Sequence, residues 1–187
     1  PENITVLSFT NAAADNITAR NPNVNSMTIA SMIHSIYELN FPDHILSTVD
    51  TVKNSIDIYY PKAVYRDDVV NNFQKVLNDV IKNNAHAFTN LNNFVNENYD
   101  EVIKILDKVG QTTLELEVVI CYRQIENLKE PNFLKTSYLI VDEVQDNSIF
   151  EFIYLMKYVE KNKQNLFMVG GPLPTLNPTN CGKLTFT

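Results

Sequence analysis

The stretch YLIVDEVQDN, from Tyr138 to Asn147, decides the fold. Four residues that favour an extended chain, Tyr138 to Val141, run straight into the carboxylates Asp142, Glu143 and Asp146. A short apolar run bounded by polar residues reads as a buried strand. Folding alone does not require charge at its end. Either Asp142 caps the next helix and Glu143 is solvated surface, or the carboxylates hold a cation. As the central strand of a parallel sheet, this run would deliver Asp142 and Glu143 to the carboxyl edge, where open α/β sheets bind ligands. There one carboxylate can hold Mg²⁺, directly or through water, while its neighbour points at a water that attacks a phosphoryl group.

The flanks carry the same alternation of elements. Downstream, Ile149 to Val159 reads as a helix and NLFMVG, ending on Gly170, as another strand; Gly171 follows it. Glycines there allow a ligand close to the backbone, and they are also ordinary turn residues. Strand, helix, strand in this order predicts a parallel sheet. Upstream, ITVLSF from Ile4 to Phe9 reads as a short buried strand, and TNAAADNITAR as a helix capped by Thr10 or Asn11. SMTIASMIHSIYELN is either a helix throughout or a short strand feeding a helix.

The middle differs. Residues 41–68 are mixed and polar and read as short helices and loops. Val69, Phe73, Val76 and Val80 then recur at helical spacing. A second helix carries Leu91, Phe94 and Val95, and a third carries Val102, Ile103, Leu106 and Val109 before a stop at Gly110. TLELEVVICYRQIENL reads as a helix despite its β-branched residues. The predicted fold class is α/β: a parallel-sheet core in residues 1–40 and 111–187, interrupted by an all-helical insertion in residues 41–110.

Composition narrows the classes. With 187 residues and 44% hydrophobic content the chain can bury a sizeable core, which excludes a disordered protein. No run reaches about 18 apolar residues, so no transmembrane helix is expected. A formal charge of −7 argues against a basic coat or tail for nucleic acid but leaves room for a narrow binding groove. Cys121 and Cys181 have no metal-binding spacing and read as reduced thiols, which fits a cytoplasmic protein.

Three segments in order, VLSFTNAAADNITAR, YLIVDEVQD and NLFMVGGPLPTLNP, resemble the first RecA-like motor domain (1A) of superfamily 1A DNA helicases, the UvrD/Rep/PcrA group. That group carries F-T-N-x-A-A, D-E-x-Q-D and V-G-D-x-x-Q-[ST]-[IL]-Y boxes. It also inserts a helical subdomain, 1B, where the middle helices fall. The resemblance implies a RecA-like P-loop NTPase core (1A, incomplete) with a 1B insertion, ATP and Mg²⁺ as cofactors, and single-stranded and duplex DNA as partners. Asp142 would be the Mg²⁺-associated acid and Glu143 the residue that activates the attacking water. Gln145 and Gly170 would join Asp142 in nucleotide binding, and Gln145 and Asp146 would couple nucleotide state to the motor. Phe9, Thr10 and Asn11 match the box that touches the single strand. SMIHSIY resembles the next contact box, T-x-H-S/G, with His34 as its histidine and Met32 in place of the threonine.

The departures are equally specific. No G-x-x-x-x-G-K-[ST] loop lies before Ile4, where the family places it. Gly182–Lys183 does not supply one, since Asn177 stands at the first glycine position and Leu184 in the Ser/Thr slot. Gly171 replaces the usual aspartate after the strand, Pro174 the γ-phosphate glutamine, and Asn177 the tyrosine. The expectation is therefore a fragment of a 3′–5′ translocase, separated from its upstream phosphate loop and from a second RecA-like domain, and inactive alone. A nuclease or repair partner would accompany the parent. Two alternatives stand beside it: a non-catalytic DNA-binding or scaffold subunit of a helicase–nuclease complex, and an unrelated α/β domain with a metal-binding strand end.

Overall fold

The computed structural model describes residues 3–62, 66–143 and 149–170. Four strands form one parallel sheet: β1 (Ile4–Ser8), β2 (Asn25–Thr28), β5 (Tyr138–Val141) and β6 (Asn165–Met168), in the order β2-β1-β5-β6. The register aligns Leu7, Val141 and Met168 across three strands, so β5 is flanked on both sides. The sheet is built from three non-consecutive parts of the chain, and only the parallel crossovers α1 (Asn11–Arg20) and α8 (Ile149–Asn162) are local to it.

Local chemistry sets the element ends. Thr10 caps α1, its hydroxyl accepting from Ala13 N–H at 3.2 Å. The segment 25–40 splits into β2 and α2 (Ile29–Asn40), with Thr28 as the pivot: its hydroxyl accepts from Ser31 N–H at 3.0 Å. The cap resolves the two readings of this stretch in favour of strand then helix.

The insertion holds α3 (Val49–Tyr59), α4 (Asp68–Ile81), α5 (Ala87–Glu97) and α6 (Tyr99–Val109). Gly110 ends α6 at φ 70°, a left-handed conformation that glycine adopts without a Cβ penalty. The expected all-helical insertion needs correction. Strands β3 (Ile45–Leu46) and β4 (Gln111–Thr112) pair in parallel at its neck. The chain enters and leaves the insertion side by side, and Ile45 N–H to Gly110 O (3.0 Å) and Ser47 N–H to Thr112 O (2.8 Å) satisfy both crossings. Ile45 and Leu46 are exposed, so no apolar alternation announces this pair. Residues 41–68 are also less broken than expected, since α3 is one helix anchored by Val52 and Ile56.

Helix α7 (Leu114–Arg123) is the hinge of the packing. It touches α2, α5 and α8, and buries Leu116, Val118, Val119, Ile120 and Cys121. A helix surrounded on most sides carries apolar residues around most of its circumference, which is why its sequence shows little helical alternation. One continuous core then runs from Leu7 on the sheet to Phe73 and Val102 in the insertion.

A second tie crosses from α2 to α6. The Asp107 carboxylate accepts from Nε2 of His44 at 2.6 Å, which leaves Nδ1 to accept the Tyr37 hydroxyl at 2.7 Å. Tyr37 is fully buried and His44 nearly so. Replacing Tyr37 with Phe strands a buried imidazole nitrogen and is expected to cost about 1–3 kcal/mol in chemical denaturation; an unchanged midpoint would show that water reaches His44.

Candidate functional site

Because all four strands of the larger sheet are parallel, their following loops share one edge. Phe9, Thr10 and Asn11 leave β1 there, Asp142 and Glu143 leave β5, and Gly170 follows β6. The ladder continues to that edge: Asp142 N–H donates to Leu7 O at 2.9 Å, and Val169 N–H to Val141 O at 2.8 Å. Asp142 is half-buried and Glu143 exposed.

Glu143 has φ 51°, in the left-handed region. A β-carbon there costs of order 1 kcal/mol or more, and such strain collects at functional sites. Ser8, the last residue of β1, adds a second irregularity. It is 1% exposed, and among the described residues its hydroxyl has no hydrogen-bond partner. Its position was not singled out by the sequence, because a serine ending a strand carries no pattern of its own.

The candidate acids fit a bound Mg²⁺–nucleotide. Among the described residues no group of three or more His, Cys, Asp or Glu side chains forms a metal cage. Mg²⁺ on a nucleotide needs none, since it takes one or two carboxylates and completes its shell with phosphate and water. Asp142 ends β5 at this edge, and Gly170 leaves the neighbouring strand end without a side chain. Gln145 and Asp146, together with Gly171, Pro174 and the Gly182–Lys183 pair, lie outside the described residues.

His34 lies in α2, the helix that follows β2. Its Nδ1 is 2.8 and 3.1 Å from the two oxygens of Glu117 on α7, and its Nε2 lies 3.8 Å from Glu38. Glu117 is wholly buried. Burial pushes its carboxyl up to about 7, against the opposing pull of the His34 hydrogen bond and charge. Sequence reasoning passed over Glu117 because TLELEV offers three polar residues with no sign of which one faces inward. Cys121, also on α7, is a buried thiol pushed well up by desolvation, so it is not a ready nucleophile.

A family model described as an AAA domain matches residues 2–173, and the chain belongs to that family. A search of curated proteins returns no match. The chain is thus a nucleotide-binding domain of the AAA-type P-loop NTPase class, with a parallel sheet and helical insertions. Among the described residues no helix is long and apolar enough to cross a membrane.

Two expectations follow. Glu143→Gly and Glu143→Ala both remove the side chain, so their difference isolates the backbone: the glycine variant should be more stable by about 1 kcal/mol in urea unfolding, whereas equal stabilities would show no left-handed strain. For Glu117, a raised folded-state value means the native protein holds the proton more tightly than the unfolded chain. Its contribution to stability is therefore full below about 4.5 and is lost as pH rises towards about 7. Relative to Glu117→Gln, the wild type should lose stability across that window, measured as the pH dependence of the difference between their denaturation midpoints.

Proposed function

We propose that the chain is the first motor lobe of an ATP-dependent DNA translocase or helicase of the superfamily 1A type, moving 3′ to 5′ on single-stranded DNA. The observation that carries this reading is the carboxylate pair at the end of the central parallel strand, with Glu143 held at a left-handed φ beside Asp142. In this reading residues 1–40 and 111–187 form the RecA-like core and residues 41–110 the 1B insertion, in a cytoplasmic parent.

Mg²⁺–ATP would supply an electrophilic phosphorus and a leaving group already charge-compensated by the metal. Asp142 would hold the metal, directly or through a water. Glu143 accepts a hydrogen bond from the attacking water, orients it and takes its proton. Gln145 and Asp146 carry the change of nucleotide state away from the site. Phe9, Thr10 and Asn11 occupy the same sheet edge as Asp142 and would contact the strand there. Backbone contacts make such a track largely indifferent to sequence, and stacking on Phe9 adds grip without changing that.

Strand β6 supports a further part of this reading. Phe167, Met168 and Val169 are exposed, although Val141, the β5 partner of Met168, is buried. Parallel sheets are normally covered on both faces. Among the described residues β6 is the outermost strand on its side of the sheet, and the helicase reading places beside it the strand and helix of the segment bearing the phosphate loop. A second RecA-like lobe would close over the nucleotide. The substitutions Gly171 and Pro174 favour a second reading, a DNA-binding subunit that has lost turnover.

Calorimetry with ATP and Mg²⁺, with and without single-stranded DNA, tests the chain directly. Weak or absent ATP binding together with DNA binding is expected, because the phosphate-cradling motif is not in this sequence. In a parent carrying that motif, Glu143→Gln should nearly abolish hydrolysis while ATP still binds. Normal turnover in that variant would remove Glu143 from its role, and a parent that binds DNA without any turnover would establish the second reading.

A further inference from the structure

The insertion holds a cavity that the nucleotide reading does not use. It measures about 500 Å³ and lies between the end of α3, the start of α4 and one face of α6. Small-molecule sites ordinarily span roughly 300–1,000 Å³. Its described lining comes from residues 59–108, so no strand-end loop of the larger sheet contributes. Buried Val70 and Ile105 give it an apolar wall together with half-buried Tyr60. Tyr59, Lys104 and Lys108 also line it and are exposed, so the cavity opens to solvent.

Arg66 sets the chemistry of this cavity. Its side chain lines the space yet is only 6% exposed. Nη1 donates to Asp57 Oδ1 at 2.7 Å and to the Tyr60 carbonyl at 3.2 Å, and Nε donates to Asn71 Oδ1 at 2.7 Å. Burial alone would raise the Asp57 carboxyl, but hydrogen bonds from Arg66 and Gln74 hold it below the usual carboxylate range, so it stays a charged partner. A guanidinium carries donors on all three nitrogens. Nη1 and Nε are taken, whereas among the described residues Nη2 makes no hydrogen bond. A charged donor left unbonded at a nearly enclosed site costs stability unless a ligand or water accepts from it. The N-terminus of α4, a helix of 14 residues, meets the same space, since Asp67, Val69 and Val70 line it as well. The Asp67 carboxylate accepts from Val69 N–H at 3.1 Å and so satisfies one of the free amides of that helix end. A helix start and a fixed guanidinium thus converge, and both favour an anion.

We propose that this cavity binds a small organic carboxylate with a flat aromatic body, its carboxylate accepting from Nη2 of Arg66 and its ring resting against Tyr60 and Ile105. Lys104 and Lys108, four residues apart on one face of α6, add positive charge to the same wall. Lys108 Nζ lies 4.6 Å from the centre of the Tyr60 ring, so a cation and an aromatic face already share it. The charge balance argues against a phosphate. Asp67 and Glu101 line the cavity too, and Asp57 offsets Arg66, which leaves little excess positive charge to meet a dianion. A single carboxylate suits that balance, and Glu101 limits its affinity by repulsion.

The test is a titration of this chain with cinnamate, followed by amide shifts in nitrogen–proton NMR spectra. Shifts should concentrate at Tyr60, Val70 and Ile105, with a dissociation constant on the order of a millimolar or tighter. Cinnamamide has the same shape without the charge and should bind at least about tenfold more weakly. Lys108→Gln should weaken cinnamate about two- to fivefold, and Glu101→Gln should tighten it about two- to fivefold. Arg66→Lys keeps the charge but loses the planar fork, so it should weaken cinnamate about tenfold while leaving cinnamamide unchanged.

Equal binding of cinnamate and cinnamamide would reveal an apolar cleft with no anion site and overturns the proposal. Tighter binding of phenyl phosphate than of cinnamate overturns it as well, by assigning the site to a phosphate. An absence of shifts at these amides up to about 10 mM cinnamate does the same. Should Arg66→Lys fail to fold for want of its bonds to Asp57 and Asn71, the Lys108 and Glu101 variants decide, since both positions are exposed. Opposite changes in their affinity for cinnamate support the carboxylate site, and unchanged affinity in both overturns it.

Discussion

The burial of α7 is the constraint on which the rest of the structure depends. Its side chains meet α2 from the sheet layer, α5 from the insertion and α8 from the last crossover, so three otherwise separate parts of the chain share one core through it. A helix in that position must be apolar nearly all round, and it must bring no unpaired charge. Glu117 breaks the first condition and meets the second only because His34 is opposite it. The inward carboxylate of α7 thus pairs with Nδ1 of a histidine that lies partly at the surface.

The sheet imposes a different kind of order. Parallel pairing aligns Leu7, Val141 and Met168 and sends the residues after each strand to a common edge. Nothing more is needed to gather Thr10, Asp142 and Gly170, which are far apart in sequence. The strain at Glu143 and the unpartnered hydroxyl of Ser8 fall at that same edge, where regular pairing ends. Local irregularity there is consistent with a surface shaped for a ligand more than for stability. The neck of the insertion follows another logic, with two crossings of the chain joined by backbone hydrogen bonds and anchored by the Tyr37–His44–Asp107 chain.

Legibility followed periodicity. The helices at 68–81 and 99–109, the stop at Gly110 and the strand at 138–141 were readable because each carries an apolar repeat or a cap that acts within a few residues. Strands β3 and β4 were not, because they bury little and exist only as partners of each other. Thr28 was missed as a pivot because strand and helix patterns overlap across it. Within the candidate site, Asp142 and Glu143 stood out as charge placed where a strand should end. Ser8 and Glu117 did not, since their significance lies in what surrounds them.

The amino-acid order by itself determined the strands and helices that carry an apolar repeat or a cap, and the place of the carboxylates after β5. These are short-range consequences of side-chain pattern and capping chemistry. Only the tertiary structure decided that Glu117 points inward onto His34, that the insertion is tied at a two-stranded neck, and that β6 is the outermost strand of the sheet among the described residues. Burial and pairing are properties of residues brought together across long separations, and no local pattern encodes which of several equivalent polar residues will be enclosed.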